Sequence, residues 1–409
     1  MKKFISLLSS AVCAAASLSL FSAGNASAAE YSIDGFTVAY TISSSEAYIT
    51  GCTGSGSDLT IPDSFGNYSV VSIGQDAFSG CTSLTSVSIP DSVAEIGGKA
   101  FWNCTSLKSV EIGGGTAEIG DYAFSACPRL SSFAVSDSNS VYTSIDGMLF
   151  SKDGSALICY AGESSAVLPE KTQSIGKAAF FGNSRISSVS IPSGVTSIGD
   201  YAFSGCFSLS KAALPITVTS LGRGCFMNCT ALSQITLGAG ISLIPEECFS
   251  MCTSLESVNI PSGVSQIGSQ AFFGCPKLSG MYIPPTVASI GTDAAGTHYD
   301  IRSGKNIPFR DFYISGDNGS AAQKYAFSAD VDFIDFTDIP LGDVDGNGTI
   351  NAVDASRVLT EYAAVATGSP ASFTYYQKLT GDYNEDGVIN AVDASLILTE
   401  YAKHATTAA

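Results

Sequence analysis

Histidine and tryptophan are nearly absent: in 409 residues there are two histidines, His298 and His404, and one tryptophan, Trp102. Two histidines so far apart cannot supply the paired-histidine helix of a zinc protease. Basic residues are scarce too, 19 Lys plus Arg against 37 Asp plus Glu, for a formal net charge of -18. That argues against nucleic-acid binding, which needs a basic footprint. No G-x-S-x-G elbow and no Gly-rich phosphate loop occurs. The acidic residues Glu95, Glu111, Glu118 and Asp121 are scattered at solvent positions of a repeat, where they read as solvated surface charge rather than a catalytic carboxylate pair. Charged residues total only 14 % of the chain. Together with abundant Ser, Thr and Gly, this suits a repetitive, tightly stacked scaffold.

One apolar stretch stands out. Lys2 and Lys3 precede an apolar run from Phe4 to Leu20, followed by small residues ending Ala26-Ser27-Ala28. That order is a secretion signal over residues 1–29, with cleavage after Ala28 or Ala29 and an extracellular mature protein. No later stretch is long enough to span a membrane.

The middle of the chain repeats every 23 residues. Phe78, Phe101 and Phe124 keep this spacing, as do Phe180, Phe203, Phe226, Phe249 and Phe272. In phase with them run Ile73, Ile96, Ile119, Ile175, Ile198, Leu221, Ile244, Ile267 and Ile290. A third ladder passes through Ile89, Ile112 and Val135, then Leu168, Ile191, Leu214, Leu237, Ile260 and Ile283. Self-similarity at this period predicts a solenoid whose rungs bury their apolar faces on one another. Within a rung, L-x-x-V-x-I reads as a short strand, and I-G-x-x-A-F-x-x-C as a near-helical stretch of at most two turns. The pattern resembles BspA-like leucine-rich repeats over about residues 59–291, roughly nine rungs. The fold class of this region is therefore an α/β repeat solenoid of short strands and short helices.

Departures from the period mark additions. The step from Phe124 to Phe180 is 56 residues, so 33 are inserted, over about 136–166. Lys152-Asp153-Gly154 between apolar runs predicts a hairpin that projects from the solenoid. Residues 30–58 read as a β-hairpin cap built on Phe36–Ile42 and Ala47–Cys52. Residues 292–338 read as a closing cap of strand, helix and strand. Cysteines recur once per rung at Cys81, Cys104, Cys127, Cys206, Cys229, Cys252 and Cys275, and Asn183 fills the same slot. One position per rung is what a small buried residue shows, so the ladder reads as reduced thiols. Cys225 with Cys248 is the first candidate for an exception.

The last seventy residues carry one segment twice. GDVDGNGTINAVDAS starts at Gly342 and GDYNEDGVINAVDAS at Gly381, 39 residues later. Each contains a twelve-residue loop of EF-hand spacing. Its metal-ligand candidates are Asp343, Asp345, Asn347, Thr349 (through its carbonyl), Asn351 and Asp354 in the first copy. In the second they are Asp382, Asn384, Asp386, Val388 (carbonyl), Asn390 and Asp393. Gly348 and Gly387 permit the sharp turn at position 6. Position 12 is Asp rather than Glu, and no amphipathic helix leads in, so each unit is half an EF-hand.

These features closely resemble a type I dockerin over residues 340–404. The resemblance implies that the solenoid is followed by a small all-α calcium-binding dockerin, with two calcium ions, near two-fold internal symmetry, and docking to a cohesin domain of a scaffoldin. It carries the cohesin-binding positions onto Ala352, Val353, Ala355 and Ser356, and onto Ala391, Val392, Ala394 and Ser395. Helices are expected near Asp354–Ala363 and Asp393–Ala402, with Val358, Leu359, Tyr362, Ile397, Leu398 and Tyr401 packed together. A third is expected from Pro370 to Leu379, with Ser369 as its N-cap. The chain so read is a secreted, non-catalytic component of a cellulosome-like complex, with the repeats binding a protein or a surface. The alternative is a carbohydrate-active enzyme or peptidase whose active site lies unrecognised in the repeats.

Overall fold

The computed structural model describes residues 27–162, 164–335, 341–345, 349–367, 373, 375–384 and 387–407. The expected signal segment lies outside these residues up to position 26, as does the junction 336–340. Two compact units make up the chain, Met1–Leu232 and Ser233–Ala409.

The first unit starts with an antiparallel meander of β1 (Ser27–Ile33), β2 (Phe36–Ser43) and β3 (Glu46–Gly54). Alternation in β2 sends Phe36, Val38 and Tyr40 into the core. Asp34 and Gly35, at φ 51° and 80°, supply the left-handed pair that a two-residue hairpin turn requires. β3 then pairs in parallel with Tyr68–Ile73, and the ladder continues through Glu95–Ile96 to Glu118–Ile119. A second parallel sheet joins Asp58–Thr60, Ser86–Ile89, Ser109–Ile112 and Ser132–Val135 in register. Inward Val87, Ile89, Val110 and Ile112 are buried, while Ser and Glu alternate outward.

In the turn segment of each rung a buried phenylalanine adds to a spine of rings. Phe78, Phe101 and Phe124 stack at 5.0 and 5.3 Å, with interplanar angles of 1° and 7°. Phe180, Phe203 and Phe226 repeat this at 4.5 and 5.0 Å. Each buried ring contributes about 1.5–3 kcal/mol through burial, and stacking adds about 0.5–1.5. Backbone bonds hold the register: Phe78 N–H donates to Ala100 O at 2.7 Å, and Phe101 N–H to Ala123 O at 2.8 Å.

The expected short helices within the rungs are absent; these segments are tight turns. The reason is visible in the backbone. The residue two before each ring and the residue two after it are left-handed, as at Lys99 (φ 56°) and Asn103 (56°), or Tyr122 (60°) and Ala126 (57°). An α-helix cannot run through such positions.

The insert also differs from expectation: it does not project. Tyr142–Ile145, Met148–Ser151 and Ala156–Cys159 form a meander whose last strand pairs in parallel with Ser174–Ile175, so that it becomes a rung. Met148, Leu149, Phe150 and Leu157 are buried, and so many apolar side chains would be costly on a protruding hairpin. Tyr160 takes the place of a spine phenylalanine, stacking on Phe180 at 4.7 Å and donating its N–H to Ala179 O at 2.8 Å. On the turn edge the ladder runs on regardless, through Ala126 N–H to Phe181 O at 3.1 Å.

The second unit holds further rungs, with Leu243–Ile244, Gln266–Ile267 and Ser289–Ile290 in parallel and Phe249 on Phe272 at 5.2 Å. Gly280–Tyr282 pairs with Tyr313–Gly316, which pairs with Asp332–Asp335. Helix α1 (Ala321–Ala329) lies between the last two strands in sequence, N-capped by Ser320. Three helices follow: α2 (Ala352–Ala366), α3 (Tyr375–Gly381) and α4 (Ala391–Thr407). α3 starts later than the sequence suggested, and the predicted cap Ser369-Pro370 lies outside the described residues.

Two substitutions with opposite signs test this account in chemical denaturation. Phe101→Ala is expected to cost about 3–5 kcal/mol. Gln270→Gly, at φ 56°, should gain about 0.5–1 kcal/mol, because relief of the left-handed strain outweighs the added chain entropy.

Candidate metal centre and docking face

The first of the duplicated loops brings three of its acidic residues together. Carboxylate oxygens of Asp343, Asp345 and Asp354 lie within 4.8 Å of one another, and Asp343 and Asp354 are buried. Asp354 is fixed by the backbone: Oδ1 accepts from Asp345 N–H at 3.1 Å and Oδ2 from Asn351 N–H at 2.9 Å. Asp393 repeats this arrangement, accepting from Asn384 N–H at 3.3 Å and Asn390 N–H at 2.9 Å. In the second loop, Asp382 Oδ2 also accepts from Gly387 N–H at 2.8 Å. Gly387 lies at φ 83°, which a side chain would strain.

Crowding three carboxylates with two of them buried is unfavourable without a counter-charge. The Arg357 guanidinium approaches only the rim, with Nε 3.9 Å from Asp345 Oδ2. The donor set is all oxygen, which suits a hard cation such as calcium. Bound there, the ion would offset the carboxylate repulsion and tie the loop to the start of α2.

The position-9 asparagines are used differently from the other candidates. Asn351 Oδ1 accepts from Val353 N–H at 2.7 Å, capping α2, and its amide donates to Thr349 O at 3.1 Å. Asn390 does the same with Val392 N–H at 2.7 Å and Val388 O at 2.9 Å. Both are therefore helix caps that steady the position-7 carbonyl, and any contact with an ion would be through water, as is common at this position. Asn347 and Asp386 lie outside the described residues.

The helices hold a small core of Val344, Ala355, Val358, Ala394 and Ile397, lined by Ile350, Phe373, Tyr383 and Ile389. This corrects two expectations. Ala355 and Ala394 are 1 % and 2 % exposed, so they pack inside the module instead of facing a partner. Leu359, Tyr362, Leu398 and Tyr401, expected to pack with Val358 and Ile397, are instead exposed. The helical phase explains both changes. Asp354, Ala355, Val358 and Glu361 define the inward face of α2, and Leu359 and Tyr362 fall on its border. Ala352 and Ser356 are exposed with Val353, and Ala391 and Ser395 with Val392; the two valines are 52 % and 54 % exposed. Thr360 Oγ1 donates to Ser356 O at 2.8 Å, and Thr399 Oγ1 to Ser395 O at the same distance, so the duplication extends to hydrogen bonds. Sequence spacing alone does not mark the exposed Leu359 and Leu398 as surface residues, because it fits a core equally well.

Among the described residues, the solenoid presents no comparable cluster. Glu95, Glu111, Glu118 and Asp121 are exposed, and Asp121 pairs with Lys177 at 2.5 Å. Trp102, Phe181 and Tyr122 lean on one another, Trp102 to Phe181 at 5.1 Å, with Lys99 over Trp102 at 5.8 Å. His298 stacks on Phe309 at 4.5 Å. The outward strand positions are mostly serine, joined by Glu111, Lys211, Gln234 and the half-buried Tyr282, and Gly280 is covered by Tyr313.

A family profile for the BspA type leucine rich repeat region matches in six copies, over residues 53–158 and 173–299. The chain belongs to the BspA-type leucine-rich repeat family. A second profile, the dockerin type I domain, matches residues 341–400. Type I dockerins bind calcium and imply a cohesin partner; both matched modules are interaction modules, and neither is catalytic.

Among solved structures, the chain is similar to a leucine-rich repeat protein from Eubacterium ventriosum, 20 % identical, with 66 % of this chain and 94 % of that chain covered, at a TM-score of 0.45. A leucine rich cell surface protein from Faecalibacterium prausnitzii is 25 % identical, with 68 % and 97 % covered, at 0.33. A leucine-rich repeat protein from Bacteroides ovatus is 23 % identical, with 74 % and 99 % covered, at 0.31. No curated protein matches this chain.

Chelation of the purified chain should lower the helical circular dichroism of residues 340–404, while the solenoid's strand signal stays. By calorimetry, Asp354→Ala should weaken calcium binding at the first loop by at least about tenfold, or 1.4 kcal/mol. Unchanged spectra and heats would refute the metal assignment.

Proposed function

We propose that the chain is a secreted, non-catalytic component of a cellulosome-like assembly, held to a scaffoldin cohesin by its calcium-loaded dockerin. The solenoid then serves as the binding module for a protein or a surface. The observation that carries this reading is the pair of exposed faces at the starts of α2 and α4. Ala352-Val353-Ser356 and Ala391-Val392-Ser395 are identical in residue type and matched in exposure. Folding alone needs the buried Val358 and Ile397; it does not need the same outward residues twice.

In this reading each loop holds one calcium ion, two in all. The first uses the carboxylates of Asp343, Asp345 and Asp354 with the carbonyl of Thr349. The second uses Asp382, Asn384 and Asp393 with the carbonyl of Val388. The cohesin contacts are Ala352, Val353, Ser356, Ala391, Val392 and Ser395. Because the two faces are alike, a cohesin engages either one in orientations related by a half-turn.

Titration calorimetry against cohesins in millimolar calcium tests the assignment, and silence from every cohesin of the source organism would sink it. Replacing Ala352-Val353 by a bulky charged pair removes one orientation and is expected to weaken binding by only about twofold, roughly 0.4 kcal/mol. The same change in both faces should abolish binding. Complete loss from the single-face change would mean that one orientation alone is used.

A further inference from the structure

Where the insert enters the solenoid, the two flanking rungs stay joined at Ala126 and Phe181 but part nearer the strands. In the preceding rung Lys99 N–H donates to Asp121 O at 2.9 Å and Phe101 N–H to Ala123 O at 2.8 Å. One rung further on, the equivalent donors are the amides of Tyr122 and Phe124, and the equivalent acceptors are the carbonyls of Lys177 and Ala179. Tyr160 N–H takes the Ala179 carbonyl at 2.8 Å. Among the described residues, Tyr122 N–H, Phe124 N–H and Lys177 O are left with no hydrogen-bond partner.

The side chains record the same parting. Ile73, Ile96, Ile175 and Ile198 hold one ladder position and are at most 1 % exposed. Ile119, in that position at the splice, is only partly buried, and so is Ile158 across from it. Between them lies a cleft of about 180 Å³, walled by Ile119, Phe124, Ile158 and Ala178. Asp121 and Lys177 also line it, and the Lys177 ammonium pairs with the Asp121 carboxylate while lying over the Tyr122 ring.

We propose that this cleft binds a small neutral molecule, one six-membered ring bearing a hydroxyl group, of which phenol is the simplest. Size sets the first limit. A dry apolar cavity of about 150 Å³ admits benzene, so a cleft of about 180 Å³ admits one such ring with a polar substituent. The ring covers the faces that Ile119 and Ile158 leave open, which water does only at a cost. Its hydroxyl oxygen accepts from the idle amides of Tyr122 and Phe124, and its hydrogen is donated to Lys177 O. Charge sets the second limit. Lys177 is already matched by Asp121, so an ionic ligand would shed its water without meeting an unpaired counter-charge.

Trp102 is the chain's single tryptophan and packs on Tyr122 at 6.1 Å and on Phe181 at 5.1 Å, beside the cleft. Its fluorescence, excited where phenol does not absorb, reports a titration of the full chain. Phenol should give one saturable change, toluene should bind at least about tenfold more weakly for want of the hydroxyl, and benzoate should give none over the same range. Hydrogen exchange of the peptide holding Tyr122 and Phe124 should slow in saturating phenol. Ile158→Phe fills the cleft and should abolish the change with the circular dichroism intact, whereas Ile158→Leu should keep it. Ile119→Phe fills it from the opposite wall and decides the matter if the first variant does not fold. No saturable change in wild type would overturn the proposal, leaving water as the occupant. So would equal affinity for toluene, unaltered exchange at Tyr122 and Phe124, or binding that survives a folded, filled variant.

Discussion

No rung of this protein can bury its own apolar face; each depends on the in-register neighbour above or below it. Within each unit the dependence has three physical components: strand pairing on two sheets, a column of stacked rings, and thiols that bond back to the previous rung. All three repeat at 23 residues because backbone hydrogen bonds between parallel rungs require matching positions. Slippage by one residue would place every spine ring opposite a turn residue. Register is therefore fixed by many weak, identical contacts and by no single strong one.

The small helical module follows a different logic. Among the described residues its core holds Val344, Ala355, Val358, Ala394 and Ile397 with four partly buried neighbours. Burial of that size does little against the entropy of ordering about sixty residues. Order then has to come from charge: acidic groups gathered by backbone N–H donors into a shape that a divalent ion completes. The position-12 aspartates sit at that junction, bound by loop amides and starting the helices at the same time. A cation held there links the loop geometry to the placement of the exposed valines.

Much of this was legible in the chain itself, because periodicity survives without an alignment. The spine phenylalanines, the strand ladders and the duplicated acidic loops were all readable from spacing. Three things were not. The rung turns read as helical, since I-G-x-x-A-F has helical spacing, but spacing does not reveal a left-handed residue such as Lys99 or Tyr122. The insert read as a protruding hairpin, since Lys152-Asp153-Gly154 is a good turn; what the turn did not disclose is that Leu149, Phe150 and Leu157 would be drawn into the core. On the helices, Ala355 and Leu359 exchanged their expected places. Small residues such as alanine suit a tight helix crossing and an exposed contact equally well, and only the phase against Val358 decides between them.

The splice at the insert has a consequence of its own. Along the turn segments the hydrogen-bond chain steps from Ala126 directly to Phe181, while the sheet side admits three extra strands, the last leading into Tyr160, where the ring column starts again against Phe180. Growth in this architecture is thus lopsided: the tight-turn flank works as an unbroken hinge-pin, and the sheet flank opens to take in new sequence. Length variation among such repeats should collect on the sheet side, where a newcomer needs only to end in an aromatic that seats on the next spine ring, as Tyr160 does on Phe180.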